Sequence, residues 1–537
     1  MKKTFILFGM CMTITALSYC QSGSNKIRLK MGPQFKESNK YMVDEIIGSD
    51  GKGIYVLKTR ARGIDMGILS NSNQIAATLE RFDLEMNLIK TTELELKHDG
   101  KKLDFEFVIQ FQNELYLFTS ERDGKSKKNI LYMQGIDKET MVPESEAEKI
   151  ADIDYSSHLK WNSGVFAATI SPDSSKLLIY YDLPYERNSN EKYGVVAFDK
   201  SLKKLWEKEF EIPYIDKKFE ITDYTIDNEG NFHVLGKRFM EKDEKVKGEV
   251  SYRFHILSYF DGGRSFIEYP IEVPDKYLSE MQIAIDPQTQ DIICAGFYSK
   301  TSVWAISGSF YLKISKKTKE FIQQNFKEFG LDFMTETMSE KKAVKAEKNA
   351  NKGKEVEMYK YYLDNIISRK DGSFVLVGEQ FDFYTTTTTT TTSNGGTSTH
   401  TTNHYIFGDI IVISISKIGE IEWTEKVAKM QRTLNDNGNF SSYTWMEIDG
   451  SLFFVFNDNP KNLDYSSGVP EKFNNGKESI VLLVELDREG KETRELLFKA
   501  SEAETKLRPT ISCDLSDREL IIYGQKGKLH RYFTLSF

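Results

Sequence analysis

Seven histidines are spread along the chain, at positions 98, 158, 233, 255, 400, 404 and 530, and only His400 and His404 lie close together. A pair at i and i+4 shares a metal when both side chains project from one helix face. These two sit instead in a Thr-rich tract from Tyr384 to His404, where β-branched residues favour extended chain. Four residues of strand span ~13 Å, too far for one ion. They are read as loop histidines, and no metal site is expected. Two acidic turns, Asp227-Asn228-Glu229-Gly230 and Asp436-Asn437-Gly438, lack the alternating carboxylates and distal Glu of a calcium loop. There is no G-x-S-x-G elbow, phosphate loop or dinucleotide fingerprint. Carboxylates are plentiful, yet no spacing singles out an acid and its base. No catalytic residue and no cofactor is assigned. Trp206 and Trp423 are read as packing residues.

The 537 residues are 39% hydrophobic and 28% charged, with a mean hydropathy of −0.46. That excludes a polytopic membrane protein and a disordered chain. The net charge of −8 gives no cationic footprint for nucleic acid or an anionic membrane surface. Lys2 and Lys3 precede an apolar run from Phe5 to Leu17, the pattern of an export signal too short to span a bilayer. Ser18-Tyr19-Cys20 before Gln21 fits simple cleavage. Leu17–Cys20 also resembles a lipobox that would acylate Cys20, with Tyr19 out of pattern. Simple cleavage is the expectation, and a lipid anchor on Cys20 the alternative. Cys294 and Cys513 then remain, each in an apolar strand-like run, and two buried free thiols are expected.

Past residue 25 one pattern recurs eight times: an alternating apolar run, a tight polar turn, and a second apolar run. The turns centre on Asp50-Gly51, Asn113, Asp173-Ser174, Glu229-Gly230, Pro287, Asp371-Gly372, Asp449-Gly450 and Asp517. Asn, Asp and Gly supply the positive φ that such turns need. A second hairpin follows most of them, as in VVAFDKSLKKLWEKEF and IIVISISKIGEIEWTEKV, with Trp206 and Trp423 at matching places. Four antiparallel strands per unit, repeated, predict an all-β fold, a β-propeller of about eight blades, with seven or nine following from one misread hairpin. Two β-sandwich domains are the competing architecture. The last unit shows three strands, so Lys26–Lys30 is expected to supply the fourth and close the ring.

Two segments interrupt the repeat. Residues 331–358 have helical composition, a short stripe of Leu331, Met334 and Met338, and a run from Glu340 to Lys354 with six Lys and two Glu. Residues 384–405 are the Thr-rich tract, read as a protruding hairpin or loop. The expected organisation is a signal over residues 1–20 and one propeller over 21–537 carrying these two insertions.

The basic run through Lys341, Lys342 and Lys345, then Tyr359-Lys360-Tyr361, RKDGSFVLVGEQ, the Thr-rich insert, GDIIVISIS, GEIEW and KVAKMQ together resemble an uncharacterised family of exported proteins of the Bacteroidota. The match covers roughly residues 320–435 and implies kinship without an activity. Val196-Ala197-Phe198-Asp199 with Leu205-Trp206 is similar to the repeat of quinoprotein-type propellers. The vicinal cysteine pair of the quinone-dependent dehydrogenases is absent, so no pyrroloquinoline cofactor is expected. Non-catalytic members, such as the periplasmic lipoprotein propeller of the outer-membrane barrel-assembly machinery, are the relevant analogy.

In an antiparallel four-strand blade the first and third turns lie at one end, and the second turn and the crossover at the other. The long segments 182–194, 239–252, 298–308, 331–358, 384–405 and 459–478 all fall at that other end. Irregular length gathered on one face marks it as the working face. The expectation is an exported, non-enzymatic propeller of the periplasm or cell surface that binds an unknown protein or glycan of the envelope. Lys341, Lys342, Lys345, Tyr384, His400, His404 and Tyr405 are the candidate contacts. The alternative is a hydrolase or lyase with acidic residues at the mouth of the central channel. Three or more convergent ionisable side chains there would favour the enzyme, and an aromatic patch the platform.

Overall fold

Alternating apolar and polar residues put one set of side chains on each face of a strand, and turn residues at positive φ return the chain beside itself. Gly51 (φ 75°) and Gly450 (φ 92°) take that conformation, as do Asn113 (67°) and Ser174 (56°) among residues that carry a Cβ. The result, in a computed structural model, is eight antiparallel four-stranded units in chain order. The structure describes all residues except 1–18, 21–26, 37–40, 61–75, 99, 145–146, 157–161, 242–250, 272, 274, 392–395 and 477. The first strands of the eight units are Tyr41–Ser49, Asp104–Phe111, Val165–Ile170, Phe219–Ile226, Tyr277–Ile285, Tyr361–Ser368, Thr444–Ile448 and Lys506–Ser516.

A buried apolar cluster joins each unit to the next, and Lys506–Ser516 of the last lies against Tyr41–Ser49 of the first. The fold is a β-propeller of eight blades. Its eighth blade takes its fourth strand from Arg28–Met31, which pairs antiparallel with Leu529–Ser536 from Arg28↔Ser536 to Met31↔Phe533. This is the closure read from the incomplete last repeat, and it covers an edge that would otherwise be open. Each sheet packs face to face on the next. Val195 and Ala197 of the third blade meet Phe232 and Val234 of the fourth, and Leu29 is buried with Val455 and Leu483 of the seventh. Radial packing of this kind replaces the two-sandwich alternative.

The matching tryptophans join neighbouring blades. Trp206 Nε1 donates to Gly230 O (3.2 Å), and Trp423 Nε1 to Arg488 O (2.8 Å), each reaching a turn of the following blade. Bulges at Asp44, Glu106, Thr222, Ser279 and Asp364 bend five of the first strands near their crossover ends. One turn at the short-turn end is itself long: residues 138–147 of the second blade carry Val142–Pro143, paired with Ile136 and Asp137.

The expected signal lies almost wholly outside the described residues. The backbone of Tyr19–Cys20 pairs with Lys30 and Leu29. No helix among the described residues is long and apolar enough to cross a membrane. Cys294 is a buried free thiol, as expected, whereas Cys513 is only half-buried. Burial pushes the Cys513 thiol up to about 11 and Cys294 higher still.

Candidate functional site: the long-loop face of the fifth and sixth blades

The crossover from the fifth to the sixth blade forms helices α1 (Leu331–Thr335) and α2 (Glu340–Ala350). Met334 of the expected stripe is buried among Phe297, Tyr361 and Leu363, while Leu331 and Met338 are half-buried. Two polar ties fix this segment to the sixth blade: Thr337 Oγ1 donates to Asp409 Oδ2 (2.6 Å), and Lys426 Nζ to Phe333 O (2.6 Å). A third reaches the loop of the seventh blade, Gly468 N to Glu336 O (3.2 Å). Lys341, Lys342 and Lys345 stand exposed on α2, without an ion pair among the described residues.

The Thr-rich tract is a hairpin of two very long strands, Phe374–Thr391 and Thr397–Ile415. Above a shift at Gln380 the register runs unbroken from Phe381↔Phe407 to Thr391↔Thr397. A short strand that the sequence pattern did not reveal, Gln431–Leu434, pairs with His404–Phe407. Tyr384 and His404 are direct cross-strand partners whose rings stack at 4.4 Å and 11°. Arg432 on the added strand donates to Tyr384 OH (2.7 Å) and lies 3.4 Å from His404 Nδ1. Tyr405 points to the opposite face, beside Phe383, and donates to Asn437 Oδ1 (3.1 Å). His400 stands exposed one step further along, with Ser398 Oγ at 3.1 Å from its Nε2. The structure thus joins Tyr384 to His404 and leaves His400 and Tyr405 apart. Among the described residues no three His, Cys, Asp or Glu side chains form a metal cluster.

An aromatic patch missed by the sequence reading lies at the base of this hairpin. Residues 300–307, between the second and third strands of the fifth blade, raise Trp304 until 75% of it is exposed. Ala305–Ile306 pair with Met358–Tyr359, and Lys360 N reaches Trp304 O at 3.4 Å, so the two exposed rings are carried on adjoining segments. Tyr362 meets Phe381 edge to face at 6.3 Å, and Phe383 follows Phe381 on the same face of the strand. Tyr359, Tyr362 and Phe383 are all exposed. The one charged pair among them is Lys360–Asp382 (2.5 Å).

Beneath the patch lies a buried ionic floor. Lys429 is fully buried and ion-paired to Glu379, whose other oxygen accepts from Ser442 Oγ (2.7 Å). Burial raises the Glu379 carboxyl and Lys429 pulls it back. Asp409 is likewise raised by burial, and Lys426 lowered by it. One blade on, buried Asp458 accepts from Asn462 Nδ2 (2.8 Å) and is pushed up to about 7 by burial.

Around the axis, Glu45, Glu106, Asp223, Glu280 and Asp364 come one from each of five first strands. All are half-buried or exposed, and partial desolvation raises each of them. Asp364 goes furthest, to about 7, through burial and then the charge of Glu379, although Tyr443 OH donates to it (2.7 Å). Further round the long-loop face, Tyr185, Arg187, Lys217, Lys218, Phe239 and Met240 line an open cavity of about 690 Å³.

No family model matches the chain, and no curated protein does. Several solved structures match this chain, propellers among them. The WD40 domain of SCAP from fission yeast has a TM-score of 0.41 at 10% identity, over 96% of this chain and 98% of that one. The propeller of the Trilobed protease from Pyrococcus furiosus has 0.31 at 13%, over 84% and 96%. A protein of unknown function from Bacteroides caccae has 0.27 at 8%, over 65% and 90%.

Proposed function

We propose that the chain is an exported, non-enzymatic β-propeller of the cell envelope. It presents the fifth and sixth blades of its long-loop face to a protein or glycan partner. The observation that carries this reading is the exposed group Trp304, Tyr359, Tyr362 and Phe383. Flat rings held out by a rigid scaffold lose little entropy on binding and offer both apolar area and a stacking surface. Lys341, Lys342 and Lys345 on the adjoining crossover would steer an anionic partner in a salt-dependent way. Kinship with the exported family of the Bacteroidota belongs to the same proposal. So does a mature domain starting after residue 20.

Capture from a solubilised envelope fraction tests the platform. The double variant W304A/Y359A, with unfolding unchanged, should lose the partner that the parent retains. Equal capture by both overturns the reading. N-terminal sequencing of the native protein tests export: Gln21 at the terminus supports simple cleavage, a lipid-blocked Cys20 an anchored form, and an intact Met1 refutes both.

Two features favour the enzymatic alternative, a hydrolase or lyase at the channel mouth. Five first strands each carry a carboxyl raised by desolvation near the crossover end, Glu45, Glu106, Asp223, Glu280 and Asp364. Asp364 is held near neutrality beside Glu379, as a general acid would be. Turnover of an envelope polymer that D364N abolishes, with binding intact, would move the assignment there.

A further inference from the structure

We propose that the outer edge of the Thr-rich strand is a self-association site, where two copies of this chain join by antiparallel pairing of Phe383–Thr391. The inference concerns a main-chain edge and not the aromatic patch, so either can fail without the other.

An unpaired strand edge presents alternate N–H and C=O groups to solvent, and proteins normally blunt such edges with Lys, Pro, bulges or covering segments. The strand Phe374–Thr391 pairs on its outer side only as far as Gln380, opposite Tyr361. The next contact there, Phe381 N to Lys360 O (2.9 Å), is the last main-chain bond on that side among the described residues. From Phe383 to Thr391 the edge has no charge, no proline and no register shift. The opposite edge of the hairpin is treated differently. Gln431–Leu434 pairs with it over His404–Phe407, and Asn435 then caps Asn403 from both sides, N to O at 3.0 Å and Asn403 N to Oδ1 at 2.8 Å. Above that cap, Thr397–Thr402 is open but interrupted by Ser398 and His400.

Three properties select a second copy as the occupant. A run of one residue type is complementary to itself when reversed, and the odd-numbered residues turn their main-chain groups outward as Phe381 does, so two such edges pair about a two-fold axis at Thr387, and the assembly closes at two. An isolated two-stranded ribbon is marginal in water, whereas two ribbons side by side make a four-stranded sheet. The bodies carry a net charge of −8 each. The uncharged ribbon, about 30 Å for nine residues, holds them apart by several screening lengths, so repulsion does not oppose the pairing.

Sedimentation velocity of the full chain over a micromolar concentration series tests this. The parent should show a monomer–dimer equilibrium. T387K/T389K sets like charges opposite each other across the two-fold and should weaken the dimer at least tenfold. A second variant, with residues 387–401 replaced by Asn-Gly between the paired Thr386 and Thr402, removes the edge without disturbing the blade and should be monomeric. A parent that stays monomeric throughout overturns the proposal, even if another protein's strand binds there. So does a dimer that persists in either variant.

Discussion

The sixth blade's hairpin is one pair of strands with two opposite characters. Phe374–Val377 and Ile410–Ile413 are buried on both faces between neighbouring blades, whereas Thr385–Thr391 and Thr397–Thr401 are exposed throughout. The backbone ladder is the same in both halves, so strand geometry does not require a core. β-Branched residues hold the extended form above, and packing holds it below. The lower half is scaffold, the upper half is surface, and Glu379 with Lys429 marks the level where one becomes the other.

The sharpest break of this contrast is at that level. K429M leaves the Glu379 carboxylate buried without its cation and should cost about 3–5 kcal/mol in denaturant unfolding. E379L/K429M should recover most of the loss, because an apolar pair of similar volume carries no desolvation penalty. Next is L29A in the four-residue closing strand, expected to cost about 2–4 kcal/mol. If burial and not strand length decides stability, this small change must exceed any truncation of the long ribbon.

The floor also titrates. Asp458 has a folded-state value of about 7 against about 3.9 unfolded, so the native state binds the extra proton between them. Its contribution is therefore present below about pH 4 and lost as pH rises through 7. D458N should flatten the fall in unfolding free energy over that window, which between about 3.9 and about 7 is on the order of 4 kcal/mol. The smallest effect belongs to the ribbon. Replacing residues 387–401 by Asn-Gly should change unfolding by less than about 1 kcal/mol. A larger loss would mean that the Thr strands support the blade after all.

Much of this architecture was legible because it rests on short-range rules. Turn residues such as Asn113 and Gly450 take the positive φ that their types foretell, and the eight hairpins fall where alternation placed them. The three-stranded last repeat pointed to Lys26–Lys30, and Arg28–Met31 fills the place. The matching tryptophans were read as packing residues, and Trp206 and Trp423 each bond to the next blade's turn. What escaped was short or non-local. Gln431–Leu434 is too brief to show a period of two, so Arg432 was not linked to Tyr384 and His404. Trp304 and Tyr359 are 55 residues apart, and their segments are joined by a ladder of only two residues, Ala305–Ile306 with Met358–Tyr359. Lys429 and Glu379 are 50 residues apart and read alone as surface residues.

The closing strand also bears on the order of events when the chain is made. Arg531 lies beside Met31, 500 positions earlier in the sequence. A ribosome working from one end must add 500 residues after Met31 before the eighth blade can receive its outer strand. Until then the first-made segment has no partner in that blade, the ring stays open, and the early blades wait with one face uncovered. Such a nascent chain keeps an apolar face open for as long as synthesis lasts, and it locks only after Leu529–Ser536 is free to turn back.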